Sequence, residues 1–221
     1  MGQLFGVYGV SGFGREVMPM ARIMMNKDDR IVFIDDNPEQ ACVNDMDVLN
    51  FQQFMNIKLE TKNVCISIAN SKIRRDIYDN LERNGVHHWS VFSQNSICMD
   101  NVDIGENSIL APFVSLTSNI KIGKSFHANL YSYVAHDCVI GDFVTFAPSV
   151  KCNGNVHIGD NSYVGTGVII KQGRPGKPLH IGNNVTISAG AFVTKNIPDG
   201  MTVFGNPAVE LNRQNIRKLR G

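Results

Sequence analysis

His136 and Asp137 stand side by side in a stretch of regular rhythm, and together they could carry acid–base chemistry. The Ile-Gly pairs at 140–141 and 158–159 are 18 residues apart, and the histidine and aspartate come just ahead of the first pair. A neutral imidazole can accept a proton at physiological pH, and this makes histidine the commonest general base. His136 is therefore our candidate base.

A second candidate site is the glycine-rich segment "GVSGFG" at residues 9–14. Its glycines would let backbone N–H groups approach a ligand at the start of a predicted helix, where the helix dipole favours anions such as phosphate. Asp35 and Asp36 follow the second predicted strand, where an open parallel sheet often binds a ribose or base. The spacing is GxxGxG and not GxGxxG, so a tight turn without a ligand is the alternative.

The histidine lies within a repeat of six residues. Twelve positions spaced by six are all apolar: Ile104, Leu110, Leu116, Ile122, Ala128, Val134, Ile140, Phe146, Cys152, Ile158, Val164 and Ile170. Short strands joined by tight corners explain this period, with the first residue of each hexapeptide pointing inward. Three hexapeptides then close one triangular coil of 18 residues, and successive coils stack as parallel strands. His136 takes the third place of its hexapeptide, so it can face a cleft.

The rhythm breaks at "KQGRPGKPLH", residues 171–180, and resumes at Ile181. Two prolines and two glycines cannot pair inside a ladder, so this segment is predicted to be an ejected loop. Its cations, Lys171, Arg174 and Lys177, together with Lys195, could meet the phosphates of a donor molecule. The alternative is a solvated loop whose charges bind nothing.

Residues 1–92 follow a different pattern. "LFGVYGV", "RIVFIDD", "NVCISIA" and "HHWSVF" read as strands, and "REVMPMARIMM" and "SKIRRDIYDNLERNG" as helices, the second ending at Gly85. This alternation predicts an α/β domain, a small Rossmann-like parallel sheet covered by helices. The sequence therefore divides into an α/β domain at 1–92, a β-helix at 93–206 and a basic, helical tail at 207–221.

Composition limits the possible functions. The chain has 221 residues, 43% of them hydrophobic, and a formal net charge of +1, which offers no attraction to nucleic acid or to an anionic membrane. No apolar run is long enough to cross a bilayer, and the N-terminus lacks the features of a signal peptide. Five cysteines without CxxC spacing suggest free thiols in a reducing cytoplasm, and no metal cluster is visible, so no metal is expected.

At this point the whole chain resembles a known family, the bacterial nucleotide-sugar acetyltransferases of the sialic-acid and bacillosamine pathways. The matching stretches are "YGVSGFGREV", "VFIDD", "ISIANSKIRRDIYDNL", "VAHDCVIGDFV", "KCNGNVHIGDNSYVGTGVII" and "VFGNPA". The resemblance implies a Rossmann-like domain followed by a left-handed parallel β-helix. It also implies a cytoplasmic homotrimer, with active sites between neighbouring β-helices, that serves surface-polysaccharide synthesis. The implied donor is acetyl-CoA, and the implied acceptor is a nucleotide-linked 4-amino-4,6-dideoxyhexose.

The resemblance also assigns roles to residues. His136 would deprotonate the sugar amine, Asp137 would orient the imidazole, and Gly154 would lie near the thioester. The implied nucleotide-sugar contacts are Gly9, Ser11, Gly12, Phe13, Gly14, Asp35, Asp36, Asn70, Arg74 and Asn129. The expected acetyl-CoA contacts are Thr145, Gly154, Gly165, Thr166, Lys171, Arg174, Lys177, Ala189, Gly190 and Lys195.

Several of these roles have alternatives. Phe13 and Thr145 stand where some family members have histidine, which puts sugar contacts and acetyl positioning in doubt. Helix capping by Asn70 and a solvated helix face for Arg74 are as well supported as ligand contacts.

The remaining histidines and cysteines have plainer interpretations. His127, His157 and His180 take positions where solvated or structural side chains are expected. Cys138 and Cys152 fall at core positions, which argues against a nucleophilic cysteine.

Three rival functions remain open. The first is sugar O-acetylation, since the same base can deprotonate a hydroxyl group. The second is a non-catalytic, nucleotide-binding trimeric scaffold. The third is a zinc-dependent β-helix carbonic anhydrase, which the spacings of the histidines do not favour. The identity of the nucleotide base and the sugar epimer stay open.

Overall fold

The computed structural model describes residues 2–220, and it divides into two compact units. The first extends to Gln94 and includes Glu106–Ile109, and the second comprises Asn95–Gly105 and the chain from Leu110 onward. Met1 and Gly221, at the ends of the predicted first domain and tail, lie outside the described residues. Among the described residues, no helix is long and apolar enough to cross a bilayer.

The first unit contains a six-stranded sheet with the order β3-β4-β2-β1-β5-β6. Its strands are β1 (Leu4–Tyr8), β2 (Arg30–Ile34), β3 (Cys42–Val43), β4 (Met46–Leu49), β5 (Lys62–Ile66) and β6 (His87–His88). All neighbouring pairs are parallel except β3 with β4. The chain leaves β1 toward β2 on one side and returns to β5 on the other. The carboxyl end of β1 is therefore a switch point of the kind where open sheets bind ligands.

Three helices belong to this unit: α1 (Gly12–Ile23), α2 (Phe51–Met55) and α3 (Ser71–Arg83). α1 buries Gly14, Val17, Met18 and Ala21, the i, i+3, i+4, i+7 spacing of an amphipathic helix. α2 begins with a capping box between Asn50 and Gln53. The predicted helices thus form, with α1 starting at Gly12, ahead of the predicted "REV" start.

The hairpin of β3 and β4 and the short helix α2 were not predicted from the sequence. The hairpin turns at Asn44 and Asp45, which both have positive φ (50° and 61°), the geometry of a type I′ turn. The predicted last strand "HHWSVF" is two short strands, β6 and β7 (Val91–Phe92).

The second unit is a coil of short strands on three faces. One face contains β8 (Ile97–Cys98), β11 (Ser115–Leu116), β14 (Tyr133–Val134), β17 (Lys151–Cys152), β20 (Ile169–Ile170) and β23 (Phe192–Val193). The next contains β9 (Val102–Ile104), β12 (Ile120–Ile122), β15 (Val139–Ile140), β18 (Val156–Ile158) and β21 (Leu179–Ile181). The third contains β10 (Ile109–Leu110), β13 (His127–Ala128), β16 (Thr145–Phe146), β19 (Tyr163–Val164), β22 (Thr186–Ile187), β24 (Thr202–Phe204) and, antiparallel at the end, β25 (Val209–Glu210).

The predicted inward positions form the interior of this coil. Every one from Leu110 to Ile170 is at most 5% exposed, while Ile104, in the first coil, is half-buried. Each full burial of such an apolar side chain is worth about 1.5–3 kcal/mol. The sequence period of six therefore arises because each face of a coil buries one of these side chains.

Many corners between faces are made by residues in the left-handed region. One column of corners contains Asn101, Asn119, Asp137 and Asn155, with φ of 56°, 59°, 59° and 56°. Asparagine and aspartate tolerate this conformation better than most other residues. Asp137 is thus placed at a corner by the same backbone rule that places asparagine in the coils above and below.

The predicted interruption of the coil is present. Asp160 N–H donates to Asn183 Oδ1, 23 residues away, where the equivalent bond one coil earlier spans 18. Residues 171–178 lie outside the strands, with a small bridge between Arg174 and Lys177, and Leu179 and His180 already belong to β21. In the predicted tail, α4 (Arg213–Arg220) follows β25.

Candidate functional site

His136 and Asp137 form a hydrogen-bonded pair at the corner between β14 and β15. His136 Nδ1 lies 2.7 Å from Asp137 Oδ2, and the two side chains are 50% and 47% exposed. A carboxylate can only accept this bond, so the proton of a neutral imidazole sits on Nδ1. Nε2 then carries the lone pair, which is the arrangement that a general base requires.

The neighbouring coils fix this corner. Asp137 N–H donates to Ser118 O at 3.2 Å on one side, and His136 O accepts from Asn155 N–H at 2.9 Å on the other. Hydrogen bonds to the preceding and the following coil therefore fix the backbone of both residues.

Gly154 lies directly against the imidazole ring. A Cβ atom at this position would meet His136 Cε1 at 2.5 Å and Nε2 at 2.6 Å, distances that real Cβ atoms essentially never show. Any larger residue would displace the ring from its observed place. Gly154 is therefore required for the observed orientation of the His136 ring. Sequence spacing alone could not reveal this contact.

The backbone N–H of Gly154 is also a candidate donor. Within residues 2–220 it has no hydrogen-bond acceptor, although its carbonyl accepts from Gly173 N–H at 2.9 Å. An amide group beside a general base is the arrangement that stabilises a developing oxyanion.

The ejected loop contributes a basic groove of about 510 Å³. It is lined by all four predicted cations, Lys171, Arg174, Lys177 and Lys195, and by His180. Near its start, the loop is anchored by Gly173 N–H, which donates to the carbonyl of Gly154, one coil beyond His136. With coils about 4.8 Å apart, roughly 10 Å separates the base from the start of the groove.

The other predicted donor contacts lie at a different corner of the coil, after the third face. Gly165 lies against Ala189, whose nitrogen would be 2.6 Å from a Cβ atom there, and Gly190 N–H donates to Thr166 O at 2.8 Å.

Two further predicted contacts lie on this side of the coil. Asn129 follows β13 in the same column and its Oδ1 accepts from Leu130 N–H at 2.8 Å, while Thr145, in β16, is buried. Within one chain the structure does not bring these residues to His136.

The glycine-rich turn of the first unit borders a cleft of about 440 Å³. Ser11 and Asp35 line it, together with residues that the sequence analysis did not select: Val10, Arg15, Asn37, Glu39, Gln40 and Val43. Of these residues, Arg15 could have been predicted from the sequence, because it lies in the first turn of the helix that follows the glycines. Ser11 is the N-cap of α1 and makes no side-chain capping bond, so its hydroxyl is available to a ligand.

The three glycines of the turn differ in environment. Gly9 has φ of 108°, and a Cβ atom on Gly14 would lie 1.9 Å from Gly9 O, so both are required by the backbone. Gly12 is exposed, and a Cβ atom there would meet nothing within 4 Å. Phe13 is half-buried against the apolar core.

Asp36 accepts a hydrogen bond from Tyr8 OH at 2.6 Å. Burial, followed by this bond and the charges of Asp36 and Asp35, raises the pKa of Tyr8. The phenol therefore stays protonated and donates to Asp36.

Asn70 and Arg74 have structural roles. Asn70 caps α3, its Oδ1 accepting from Lys72 and Ile73 N–H. The solvated helix face that was the alternative for Arg74 is wrong, because this side chain is fully buried and donates to the Ile68 and Ala69 carbonyls. Burial lowers the pKa of Arg74 to about 9. Arg74 therefore holds the backbone of the segment that follows β5.

The remaining histidines and cysteines stay outside the site. His127 is buried, so a solvated position for it is wrong, whereas His180 is exposed. Burial, with the charge of His180, lowers the pKa of His157. Cys138 and Cys152 are fully buried. Their mutual hydrogen bond lowers the pKa of Cys138 and, together with burial, raises the pKa of Cys152 well above its usual value. Burial keeps both thiols from a substrate, and the protonated thiol of Cys152 is also a poor nucleophile.

One group of possible metal ligands lies in the first unit, where Glu82, His88 and Glu106 come within 4.8 Å of one another. Asn107 accepts from Ile66 N–H through Oδ1, so its Nδ2 faces His88 Nδ1 at 3.3 Å. Nδ1 is then the acceptor and Nε2 carries the proton, where a metal ligand would need a lone pair. The Asn107 amide therefore fixes the ring orientation and tautomer of His88.

Known proteins that are similar to this chain identify its family. The family model "PglD N-terminal domain" matches residues 5–81. GDP-perosamine N-acetyltransferase of Escherichia coli O157:H7 is 44% identical over 214 residues, which cover 95% of this chain and 97% of that protein. The chain belongs to this family of nucleotide-sugar N-acetyltransferases.

Two similar solved structures confirm the fold prediction. WeeI from Acinetobacter baumannii AYE is 53% identical with a TM-score of 0.91, covering 95% of this chain and all of that one. The acetyltransferase domain of PglB from Neisseria gonorrhoeae FA1090, solved in complex with acetyl coenzyme A, is 29% identical with a TM-score of 0.86 and covers 96% and 100%. A Rossmann-like sheet followed by a left-handed β-helix is thus the architecture of this chain.

Proposed function

We propose that this protein transfers the acetyl group of acetyl-CoA to the 4-amino group of a nucleotide-linked 4-amino-4,6-dideoxyhexose, with His136 as general base. The observation that carries the proposal is the 2.7 Å contact of His136 Nδ1 with Asp137, which leaves Nε2 beside Gly154 as the proton acceptor. The family membership supports the reaction class.

The reaction then proceeds in two parts. The sugar nitrogen attacks the thioester carbonyl carbon, the carbonyl oxygen becomes an oxyanion, and His136 Nε2 takes the proton that the amine loses. When the oxyanion collapses, the carbon–sulfur bond breaks and the imidazolium returns its proton to the thiolate, giving an amide and free CoA. Asp137 orients the ring and stabilises the imidazolium, and the Gly154 N–H is positioned to donate to the oxyanion.

The basic groove suits the phosphates of acetyl-CoA. The strand pairing places Lys171 two coils from His136 and Lys195 three coils from it, distances that an extended pantetheine arm covers. Neutralising Lys171, Arg174 and Lys177 together should weaken acetyl-CoA binding and reduce its salt dependence. A matched control neutralises three exposed cations of the first unit, Arg22, Lys27 and Lys58. If both triple variants bind acetyl-CoA like the wild type at low and high salt, the groove does not hold the donor.

The cleft of the first unit suits the nucleotide. Gly12→Val places a side chain where the protein itself has open space, so it should obstruct only a ligand. We expect a raised KM for the amino sugar with little change in the KM for acetyl-CoA. Equal damage to both constants would point to misfolding instead.

We further propose that the site is completed by a second copy of the chain in a homotrimer. His136 and Gly154 occupy the corner after the first face, whereas Asn129, Gly165 and Ala189 occupy the corner after the third face. A site that contains both sets needs two chains. Sedimentation should give three times the monomer mass. The free thiols of all five cysteines suit the reducing cytoplasm, where we place the enzyme.

The deciding experiment offers UDP-, dTDP- and GDP-linked 4-amino sugars with acetyl-CoA and follows thiol release. The name of the Escherichia coli relative makes GDP-perosamine the first substrate to test. His136→Ala should lower turnover by at least about 10²-fold and leave nucleotide binding intact, and Asp137→Asn should be milder. Near-normal turnover of His136→Ala would refute the base assignment. A 4-hydroxy sugar that reacts in place of the amine would indicate O-acetylation, and no thiol release with any sugar would favour a scaffold.

A further inference from the structure

The corner column that contains Asp137 carries an amide on the coil before it. Asn101, Asn119 and Asp137 follow each other at intervals of one coil, and all three have left-handed backbone geometry. The sequence signal is an asparagine 18 residues ahead of the aspartate, which was not used in selecting candidate site residues.

Hydrogen bonds connect this column to the base. Asn101 Nδ2 donates to Asn119 Oδ1 at 3.2 Å, and Asn119 Nδ2 donates to Asp137 Oδ1 at 3.4 Å. The other carboxylate oxygen of Asp137 holds His136. Because the Asp137 carboxylate can only accept, the NH₂ group of Asn119 faces Asp137 and its oxygen accepts from Asn101. Both oxygens of the carboxylate are therefore engaged, one by an amide and one by the imidazole.

We propose that Asn119 is a positioning residue for the reaction and acts through Asp137. The torsion that turns a carboxylate about its last bond is broad, and the Asp137 side chain is half exposed, so one hydrogen bond alone leaves its plane poorly fixed. A donor on the second oxygen restricts that rotation and keeps Oδ2 directed at Nδ1. The bond is long, so the effect is modest. This inference rests on the proposed role of His136 as base.

The test uses two substitutions at Asn119 and the same two at Asn184. Asn184 is an exposed left-handed corner residue outside the candidate site, with φ of 55°. Glycine adopts this backbone geometry without strain, so Asn119→Gly removes only the amide. Asn119→Asp keeps the shape and replaces the donor with a negative charge beside the pair.

We expect Asn119→Gly to lower kcat about 3- to 10-fold while both KM values stay unchanged. Asn119→Asp should move the acidic limb of the pH profile of kcat/KM upward by about 0.5 to 1 unit, because a nearby negative charge favours the imidazolium. Neither change should occur in Asn184→Gly or Asn184→Asp. A purely structural role would lower the melting temperature or change the KM values, and would not lower kcat alone.

The proposal is overturned if both Asn119 variants match their Asn184 counterparts in kcat and in pH profile. Asn101→Gly is the second variant, for the case that substitutions at Asn119 prevent folding. It frees the Asn119 amide to rotate and should lower kcat about 2-fold, and an unchanged kcat there counts against the proposal. His136→Ala, measured alongside, separates the two ideas: if that variant keeps near-normal turnover, the base assignment itself has failed.

Discussion

Replacing Gly154 with alanine tests the orientation of His136 more directly than removing the histidine. The added Cβ atom would meet the ring at 2.5 Å, and ordinary van der Waals contact begins near 3.4 Å. The ring must therefore move by about 0.9 Å. A movement of that size away from Asp137 lengthens the 2.7 Å Nδ1 to Oδ2 contact to about 3.6 Å, beyond hydrogen-bond range.

The expected cost is catalytic. A misplacement of about 1 Å can lower the rate about 10²-fold, which corresponds to about 2.7 kcal/mol in the barrier. The half-exposed ring can swing toward solvent, so the free energy of unfolding should fall by only about 1 kcal/mol or less. Steady-state kinetics by thiol release should therefore show a reduced kcat, nearly unchanged KM values and a melting temperature close to that of the wild type.

The control is the same substitution in a His136→Ala background. With no ring to displace, Gly154→Ala should have no further effect there, and the two changes should be strongly non-additive. Full additivity, or near-normal turnover of the single Gly154→Ala variant, would show that this contact does not orient the base.

Three predictions concern the first unit. Gly14→Ala brings a Cβ atom to 1.9 Å from Gly9 O and should destabilise the fold by about 1–3 kcal/mol, seen as a lower melting temperature and weaker amino-sugar binding. Tyr8→Phe removes the donor to Asp36 and should lower the free energy of unfolding by about 1.5–3 kcal/mol in urea titrations. Burial raises the pKa of Cys65 from 9.0 to about 12. As pH rises, the thiol of the unfolded chain therefore loses its proton before the thiol of the folded chain does. The contribution of Cys65 to the free energy of unfolding should then fall between pH 9 and pH 12. Urea titrations at pH 8 and 10 should show less of this fall in Cys65→Ala, and an identical fall would contradict it.

The β-helix could be predicted because its pattern depends on local rules alone. Each hexapeptide buries one residue, and Val134, Ile140 and Phe146 show the resulting burial on three successive faces. The insertion after Ile170 was visible for the same reason, since prolines and glycines interrupt a strict period.

The first unit was harder to predict. The strands β1, β2 and β5 are clear apolar runs in the sequence. The strands β3 and β4 have only two and four residues, and of these only Val48 is buried. Such a hairpin carries little hydrophobic signal.

The candidate site was partly accessible from sequence. His136 and Asp137 stood out by type and neighbourhood, but the contact of Gly154 with the ring depends on how two coils stack. The burial of Arg74 could not be predicted. The sequence pattern of its helix does not distinguish a solvated cation from one that is buried against backbone carbonyls.

The extra residues between Ile170 and Leu179 show how this fold can change over evolution. Residues can be inserted into a β-helix only as complete coils or as a loop that leaves the coil. Any other insertion would turn every later inward-facing side chain away from the interior. Here the additional residues form the loop outside the coil, and this loop carries the cations. The strand register across the insertion is kept, with Val156 paired with Leu179 and Ile158 paired with Ile181. Substitutions in the loop can therefore alter the lining of the groove without moving His136, so the groove and the corner can change independently during evolution.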